Sequence, residues 1–320
     1  MKSGKRNLVE KLSGAEGLSF LKNFPLSSLT AIGTGGRARY YASVERVSAL
    51  QKLLKELDGP FFILGSGTNL LLSDRDFPGV MIHLGRSFRR LRQSEGKITC
   101  GAAVPLARLV ERAVAASFAG FEELSGVPGS VGGAAAMNAG THIKELGDLV
   151  ESLCMVDTSG RRRFFSKGQL RPSYRSSLAP VPGVITTLTF LRQPGGDPER
   201  QRGRALELQN GRKLKHPWQE KTFGSTFKNP PGMIAAKLID QAELKGFRIG
   251  GAQVSPKHAN FIENNRGAGA LDILELIKHV RRVVRTRFGI TLEPEVRLVG
   301  FTREELGELA PYAVSPPGKV

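Results

Sequence analysis

The chain has 320 residues, 40% of them hydrophobic and 24% charged, proportions that suit a globular protein with room for two or three domain cores. No apolar run approaches the roughly 20 residues that span a bilayer. The basic N-terminus lacks a signal-peptide core, and Cys100 and Cys154 follow no metal-ligand spacing, so a cytoplasmic protein without membrane insertion or bound metal is expected. The formal net charge of +18 admits a nucleic-acid surface, but the basic residues fall in separate clusters at 86–92, 161–163, 200–215 and 281–287 with no zinc-finger, RNP or recognition-helix pattern. They better suit polyanionic small ligands, and no nucleic-acid partner is expected.

In chain order, residues 1–25 carry little pattern beyond a short helix and read as a loosely held arm. A strand at 39–42 precedes an amphipathic helix, with Ser43 or Ser48 as its cap and Val47, Leu50, Leu53, Leu54 and Leu57 on one face. Apolar runs at 61–64, 70–72 and 80–84 read as strands, as does 98–100 before a helix over 105–117. Strand-like runs follow at 150–157, 163–165 and 184–191. A turn-rich linker at 193–197 leads into a charged helix over 198–215 with few apolar positions. The last block reads as a helix near 234–241, a strand near 259–263, a long helix over 271–288 and a strand at 294–299. The stripe Leu271, Leu274, Ile277, Val280, Val284 and Phe288 has helical spacing and is assigned to the core. The tail from 302 contains a short acidic helix and reads as peripheral.

Two glycine-rich turns stand out. The first, in ILGSGTNLLLSD, is a strand, turn, strand pattern. It lacks the helix of a dinucleotide fingerprint or a phosphate loop, and neither spelling is present. The second, SGVPGSVGGAAAMNAG at 125–140, has five glycines in sixteen residues. Such a segment is either a close-packed stretch that binds nothing or a nest of free N–H groups that binds an anion. Together the two turns favour a cradle for a ligand with a diphosphate and a long body.

Chemistry-bearing residues lie elsewhere. Ser225, in GSTFKNP, is either a turn hydroxyl or a functional one, and no G-x-S-x-G elbow surrounds it. Tyr174 and Arg175, in RPSYRSS, form either a surface stack or a carboxylate clamp. Glu295, in EPEVRLV, is either solvated or a functional group at a strand mouth.

Taken in order, TAIGTGGRAR, ILGSGTNLLLSD, SGVPGSVGGAAAMNAG, SYRSS, GSTFKNP, AAKLIDQAELKGFRIGGAQVSPKHANFI and LEPEVRLVG resemble the MurB family of UDP-N-acetylenolpyruvoylglucosamine reductases, over about residues 24–301. The resemblance implies an α+β fold in which a two-subdomain FAD-binding unit of the vanillyl-alcohol oxidase-like (PCMH) type is followed by an α/β substrate-binding domain. The expected division is an arm at 1–23, an FAD-binding domain at 24–195 with subdomains at about 24–85 and 86–195, a substrate-binding domain at 196–301 and a tail at 302–320. The implied reaction is NADPH-dependent. Hydride passes through noncovalent FAD to the enolpyruvyl group of the UDP-sugar, giving UDP-N-acetylmuramate for peptidoglycan precursor synthesis.

By the same resemblance, FAD contacts fall on Gly65, Ser66, Gly67, Thr68, Asn69 and Leu70, and on Gly126, Pro128, Gly129, Ser130, Gly132, Gly133, Asn138, Ala139 and Gly140. Arg175 holds the substrate carboxylate, Glu295 assists there, and Ser225 protonates the enolate. Tyr174, Lys228, Asn229, Lys237, His258 and Asn260 line the nucleotide-sugar side. The chain departs from the family at Leu29-Thr30-Ala31 and at Thr141-His142-Ile143-Lys144. Only 49 residues separate Arg175 from Ser225, which points to the shorter-loop type II without a tyrosine lid. A monomer is expected. The rival readings are another FAD-dependent oxidoreductase built on the same unit, with His142 the one nearby candidate for a covalent flavin link, and a basic nucleic-acid-binding protein.

Overall fold

The computed structural model describes residues 8–12, 14–193 and 195–314. The first seven residues of the expected arm and the tail from 315 onward lie outside the described residues. Three regions follow one another along the chain. The first comprises α1 (Leu8–Leu12), β1 (Leu18–Pro25), β2 (Arg37–Val44), α2 (Val47–Glu56), β3 (Phe61–Leu64), β4 (Leu70–Leu72) and β5 (Phe77–Leu84). Its sheet has the order β1-β2-β5-β3, with β5 parallel to both β2 and β3.

The expected arm is in part ordered sheet. Residues Leu18 to Pro25 are an edge strand, paired antiparallel with β2 from Leu18 opposite Val44 to Pro25 opposite Arg37. This strand has little inward-facing apolar pattern of its own, and its backbone ladder with β2 makes it a strand. Helix α2 buries Ala49, Leu50, Leu53 and Leu54, the helical spacing read from the sequence. Its N-cap is Arg46 with no side-chain bond, so neither Ser43 nor Ser48 caps it.

The second region holds β6 (Leu91–Ser94), β7 (Lys97–Gly101), α3 (Leu106–Ala115), α4 (Val131–Ala135), β8 (Val150–Asp157), β9 (Arg162–Ser166), β10 (Gly183–Leu191) and α5 (Pro198–Lys215). Its sheet, β6-β7-β10-β8-β9, is antiparallel throughout. One apolar core runs from Leu50 and Ile82 of the first region to Leu109, Phe121, Leu153 and Phe190 of the second, so the two regions share an interior. Helix α5 follows the linker taken as the domain boundary, yet it packs back onto the second region. Gln201 Nε2 donates to Phe118 O at 2.9 Å, and Arg204 pairs with Glu123 at 3.0 Å. A helix with so few apolar positions is held by polar contacts instead of a core.

The third region contains α6 (Ala235–Gln241), β11 (Arg248–Ile249), β12 (Ala252–Val254), β13 (Ile262–Asn264), α7 (Ala270–Phe288), β14 (Arg297–Val299) and α8 (Arg303–Leu306). Helix α7 buries Ile273, Leu274, Ile277, Val280 and Val284, whereas Leu271 is exposed. The core stripe is therefore centred one position away from Leu271. The tail is not peripheral: Leu306 and Leu309 are buried in the third core, and Val314 N donates to Leu298 O at 2.9 Å. The third region docks by adding β14 parallel to β4, with Arg297, Leu298 and Val299 opposite Leu70, Leu71 and Leu72.

Candidate active site

A cleft of about 1490 Å³ opens where the three regions meet, beyond the roughly 300–1,000 Å³ of a pocket for one drug-sized molecule. Both glycine turns line it. In the first turn Gly67 has φ +65°, and a Cβ there would run into the carbonyl oxygen of Leu29, so only glycine fits. In the second, Ser130 caps α4 by accepting from Gly133 N at 3.2 Å. The turns face each other: a Cβ at Gly65 would lie 2.9 Å from Ser130 Oγ, and one at Gly129, 3.2 Å from Thr68 Oγ1. Two bare backbone segments thus close on one another along one wall of the cleft. This arrangement suits FAD, which residues 65–70 and 126–140 would hold.

Not every residue assigned to the cofactor reaches the cleft. Gly65, Ser66, Gly67, Thr68, Asn69, Leu70, Gly126, Pro128, Gly129, Ser130, Gly132, Gly133, Ala139 and Gly140 line it. Asn138 is fully buried beneath it, with its amide bonded to Glu145, Ser173 and Gly147. Asn69 also ties the first glycine turn to the third region, because its Nδ2 donates to Glu295 O at 3.1 Å.

Arg175, Ser225 and Glu295 come together on the cleft wall. Arg175 Nε donates to Glu295 Oε1 at 2.7 Å, and these side chains are only 13% and 14% exposed. The Tyr174 ring stacks on the guanidinium, 4.8 Å from its carbon. Burial pushes the Glu295 carboxyl above the usual carboxylate range, with Arg175 and Lys228 opposing that rise. Ser225 lies on an extended segment held on both sides. Thr226 N donates to Asn260 O and Glu295 N to Thr226 O, both at 2.8 Å. The Asn260 amide clasps the Phe227 backbone through bonds of 3.0 and 2.8 Å.

Of the residues assigned to the nucleotide-sugar side, Tyr174, Asn229, His258 and Asn260 line the cleft, and Lys228 and Lys237 do not. Lys228 pairs with Glu293 at 3.4 Å, and Lys237 is exposed on α6. Asn229 N donates to the Tyr174 hydroxyl at 3.3 Å, while its Oδ1 accepts from Ala235 N at the start of α6. Tyr174 is the only tyrosine lining the cleft among the described residues.

Four lining or supporting residues escaped the sequence reading. Arg212 and His216 reach the cleft from the end of α5, and Arg297 from β14. Glu145 lies 3.6 Å from Arg175 Nη1. Its sequence signal is the E-x-x-D spacing to Asp148, whose side chain accepts from Glu145 N at 3.0 Å. Burial, His258 and nearby cations lower His216 to about 4. Burial lowers His258 as well, and the two rings meet edge to face at 5.1 Å.

Known proteins match both halves of this arrangement. Residues 38–165 match the model of an FAD-binding domain family. Residues 216–299, starting where α5 ends, match the C-terminal domain model of UDP-N-acetylenolpyruvoylglucosamine reductase. Reductases of that name from Anaeromyxobacter sp. strain Fw109-5 and Agathobacter rectalis are 40% and 36% identical, over 89% and 88% of this chain and 91% and 95% of their own. The crystal structure of the corresponding reductase from Thermus caldophilus superposes with a TM-score of 0.76 at 34% identity, covering 88% of this chain and 98% of that one. With the cradle, the charged cluster and the docked third region in place, the chain belongs to the UDP-N-acetylenolpyruvoylglucosamine reductase (MurB) family.

Proposed function

We propose that Arg175, Glu295 and Ser225 carry out the substrate side of the reaction that family membership assigns, the NADPH- and FAD-dependent reduction of the enolpyruvyl group of UDP-N-acetylglucosamine enolpyruvate. The chemistry that FAD supplies when bound is hydride transfer from NADPH to the enolpyruvyl double bond. Addition at the terminal carbon leaves negative charge on the carbon next to the carboxylate. Arg175 binds that carboxylate and meets the developing charge from a site shielded from water. Glu295, held above the usual carboxylate range by burial, brings a proton to the carboxylate oxygens where an ionised carboxylate would repel them. Ser225 donates its hydroxyl proton to the carbon. An enolate is basic enough to take it, and the clasped 225–227 backbone fixes the direction of transfer.

The observation that carries this reading is the 2.7 Å Arg175–Glu295 contact, joined by backbone bonds to the segment bearing Ser225. Anaerobic rapid mixing tests it. The S225A variant should keep flavin reduction by NADPH while reoxidation by the enolpyruvyl substrate slows by about 10²- to 10⁴-fold. Equal loss of both half-reactions would remove Ser225 from the donor role. We further read the protein as a cytoplasmic monomer. That no described helix is long and apolar enough to cross a membrane supports the first part, and light scattering of the purified protein checks the second.

A further inference from the structure

Arg175 is gripped on more sides than the binding of one carboxylate requires. Nε donates to Glu295 Oε1 at 2.7 Å, while Nη1 and Nη2 donate to the carbonyls of Asn138 and Gly140 at 3.5 and 3.3 Å. Nη1 also lies 3.6 Å from Glu145 Oε1. Glu145 is itself fixed, because its Oε2 accepts from Asn138 Nδ2 at 2.5 Å and Asn138 Oδ1 accepts from Gly147 N at 2.8 Å. Asn138 and Arg175 both have left-handed backbones, with φ +44° and +54°, conformations that persist in non-glycine residues only when their surroundings hold them. The loop between them and Glu145 closes through the Gly140–Glu145 bridge.

We propose that Glu145 is a positioning residue of the reaction: with Asn138 it clamps Arg175 from the loop side and so fixes where the guanidinium, beside Glu295, meets the substrate carboxylate. The proposal rests on the roles given above to Arg175 and Glu295.

The clamp also sets the charge of the cluster. Two carboxylates share one guanidinium, so full ionisation would leave one negative charge in excess where an anionic substrate must bind. The charged groups facing Glu295 are Arg175, Lys228 and Glu145, and those facing Glu145 are Arg175 and Asp148. Burial raises both carboxyls, and Glu145 adds to the rise at Glu295. Burial is the main cause of the rise at Glu295; Glu145 adds to it by its charge and, by drawing on Arg175 from the other side, weakens the guanidinium's tendency to strip the Glu295 proton. A purely structural role, holding the loop closed, would change stability but not this proton linkage.

Calorimetric titration of the flavin-loaded enzyme with UDP-N-acetylmuramate separates the two. Paired buffers of different ionisation enthalpy, over a pH series, report proton uptake on binding. The wild type should take up protons as the product carboxylate arrives beside Glu295. In E145Q the pH of maximal uptake should move down, and in E145D, which keeps the charge, it should stay near the wild-type value. An unmoved maximum in E145Q overturns the proposal. Flavin loss from both E145Q and E145D does so too, because Glu145 would then be serving the cofactor loop. E295Q should abolish the uptake. Uptake that persists in E295Q would overturn the role given to Glu295 itself, a result distinct from an unmoved E145Q.

Discussion

His216 shows how the cleft treats a titratable side chain outside the Arg175 cluster. Its ring is wedged against His258 and Phe261, at centroid distances of 5.1 and 4.9 Å. Burial is the first cause of its lowered pKa, followed by His258, Arg212, Lys257 and Lys215. The folded protein therefore holds a neutral ring down to about pH 4, whereas the unfolded chain takes up a proton near 6.5. Above 6.5 both states are neutral and His216 adds no pH dependence. Between 6.5 and 4 the unfolded state binds more protons, so stability falls as pH falls. The full shift would be worth several kcal/mol, but the ring is partly open to solvent, and screening cuts the effect to about 1 kcal/mol. H216Q should accordingly lose less thermal stability than the wild type between about pH 7 and about pH 5, by about 2 °C in midpoint. A parallel fall in the two proteins, followed by differential scanning fluorimetry, would remove His216 from this account.

Among the elements, the junction between β4 and β14 matters most, because it sets Glu295 and Arg297 opposite the first glycine turn. Asp74, just past β4, secures it. One carboxylate oxygen accepts from Gly35 N at 3.1 Å and the other from Ala270 N, the first residue of α7, at 2.6 Å. A carboxylate there caps a free N–H and meets the positive end of a 19-residue helix. D74A should cost about 1–2 kcal/mol and raise KM for the UDP-sugar more than it lowers kcat, since it loosens the docking and leaves the chemical groups in place. D74N, whose single amide oxygen can accept only one of the two bonds and carries no charge, should recover only part of the stability; thermal melts and steady-state kinetics read both. The sequence made some of this legible. The spacing of Leu274, Ile277, Val280 and Val284 marked α7, and small residues marked both turns, because each pattern is local. Strand β1 was hidden because its pairing partner supplies its order. Leu271 misled because helical spacing does not fix which of two neighbouring positions faces inward. Glu145 offered only a local turn signal, the E-x-x-D spacing, because its partner Arg175, in the connection between β9 and β10, becomes a neighbour only when the second region folds.

At the scale of the whole molecule, the +18 charge has to be set beside a cleft that is nearly balanced. Arg89, Arg175, Arg212, Lys215 and Arg297 line it together with Glu123, Glu207, Glu220 and Glu295. Arg204 engages Glu123 at 3.0 Å and Glu207 at 2.9 Å, which leaves the cleft modestly positive. Most of the excess lies elsewhere, on exposed stretches such as Arg161–Arg163 and the last turns of α7. Charge at that distance does not hold a ligand, but it draws anionic NADPH and UDP-sugar toward the molecule, and mobile ions screen it beyond a Debye length of about 10 Å at 0.1 M salt. Steering acts on encounter and not on the bound complex. Raising salt from about 0.02 to about 0.2 M should therefore lower kcat/KM for NADPH by about three- to tenfold and leave kcat unchanged. Serine at Arg161 and Arg162 should flatten that salt dependence slightly while preserving kcat. Serine at Lys215, on the cleft wall, should flatten it further and weaken binding at high salt as well. A kcat that falls in step with kcat/KM as salt rises would show that the charge acts on the bound state, and the steering account would fail.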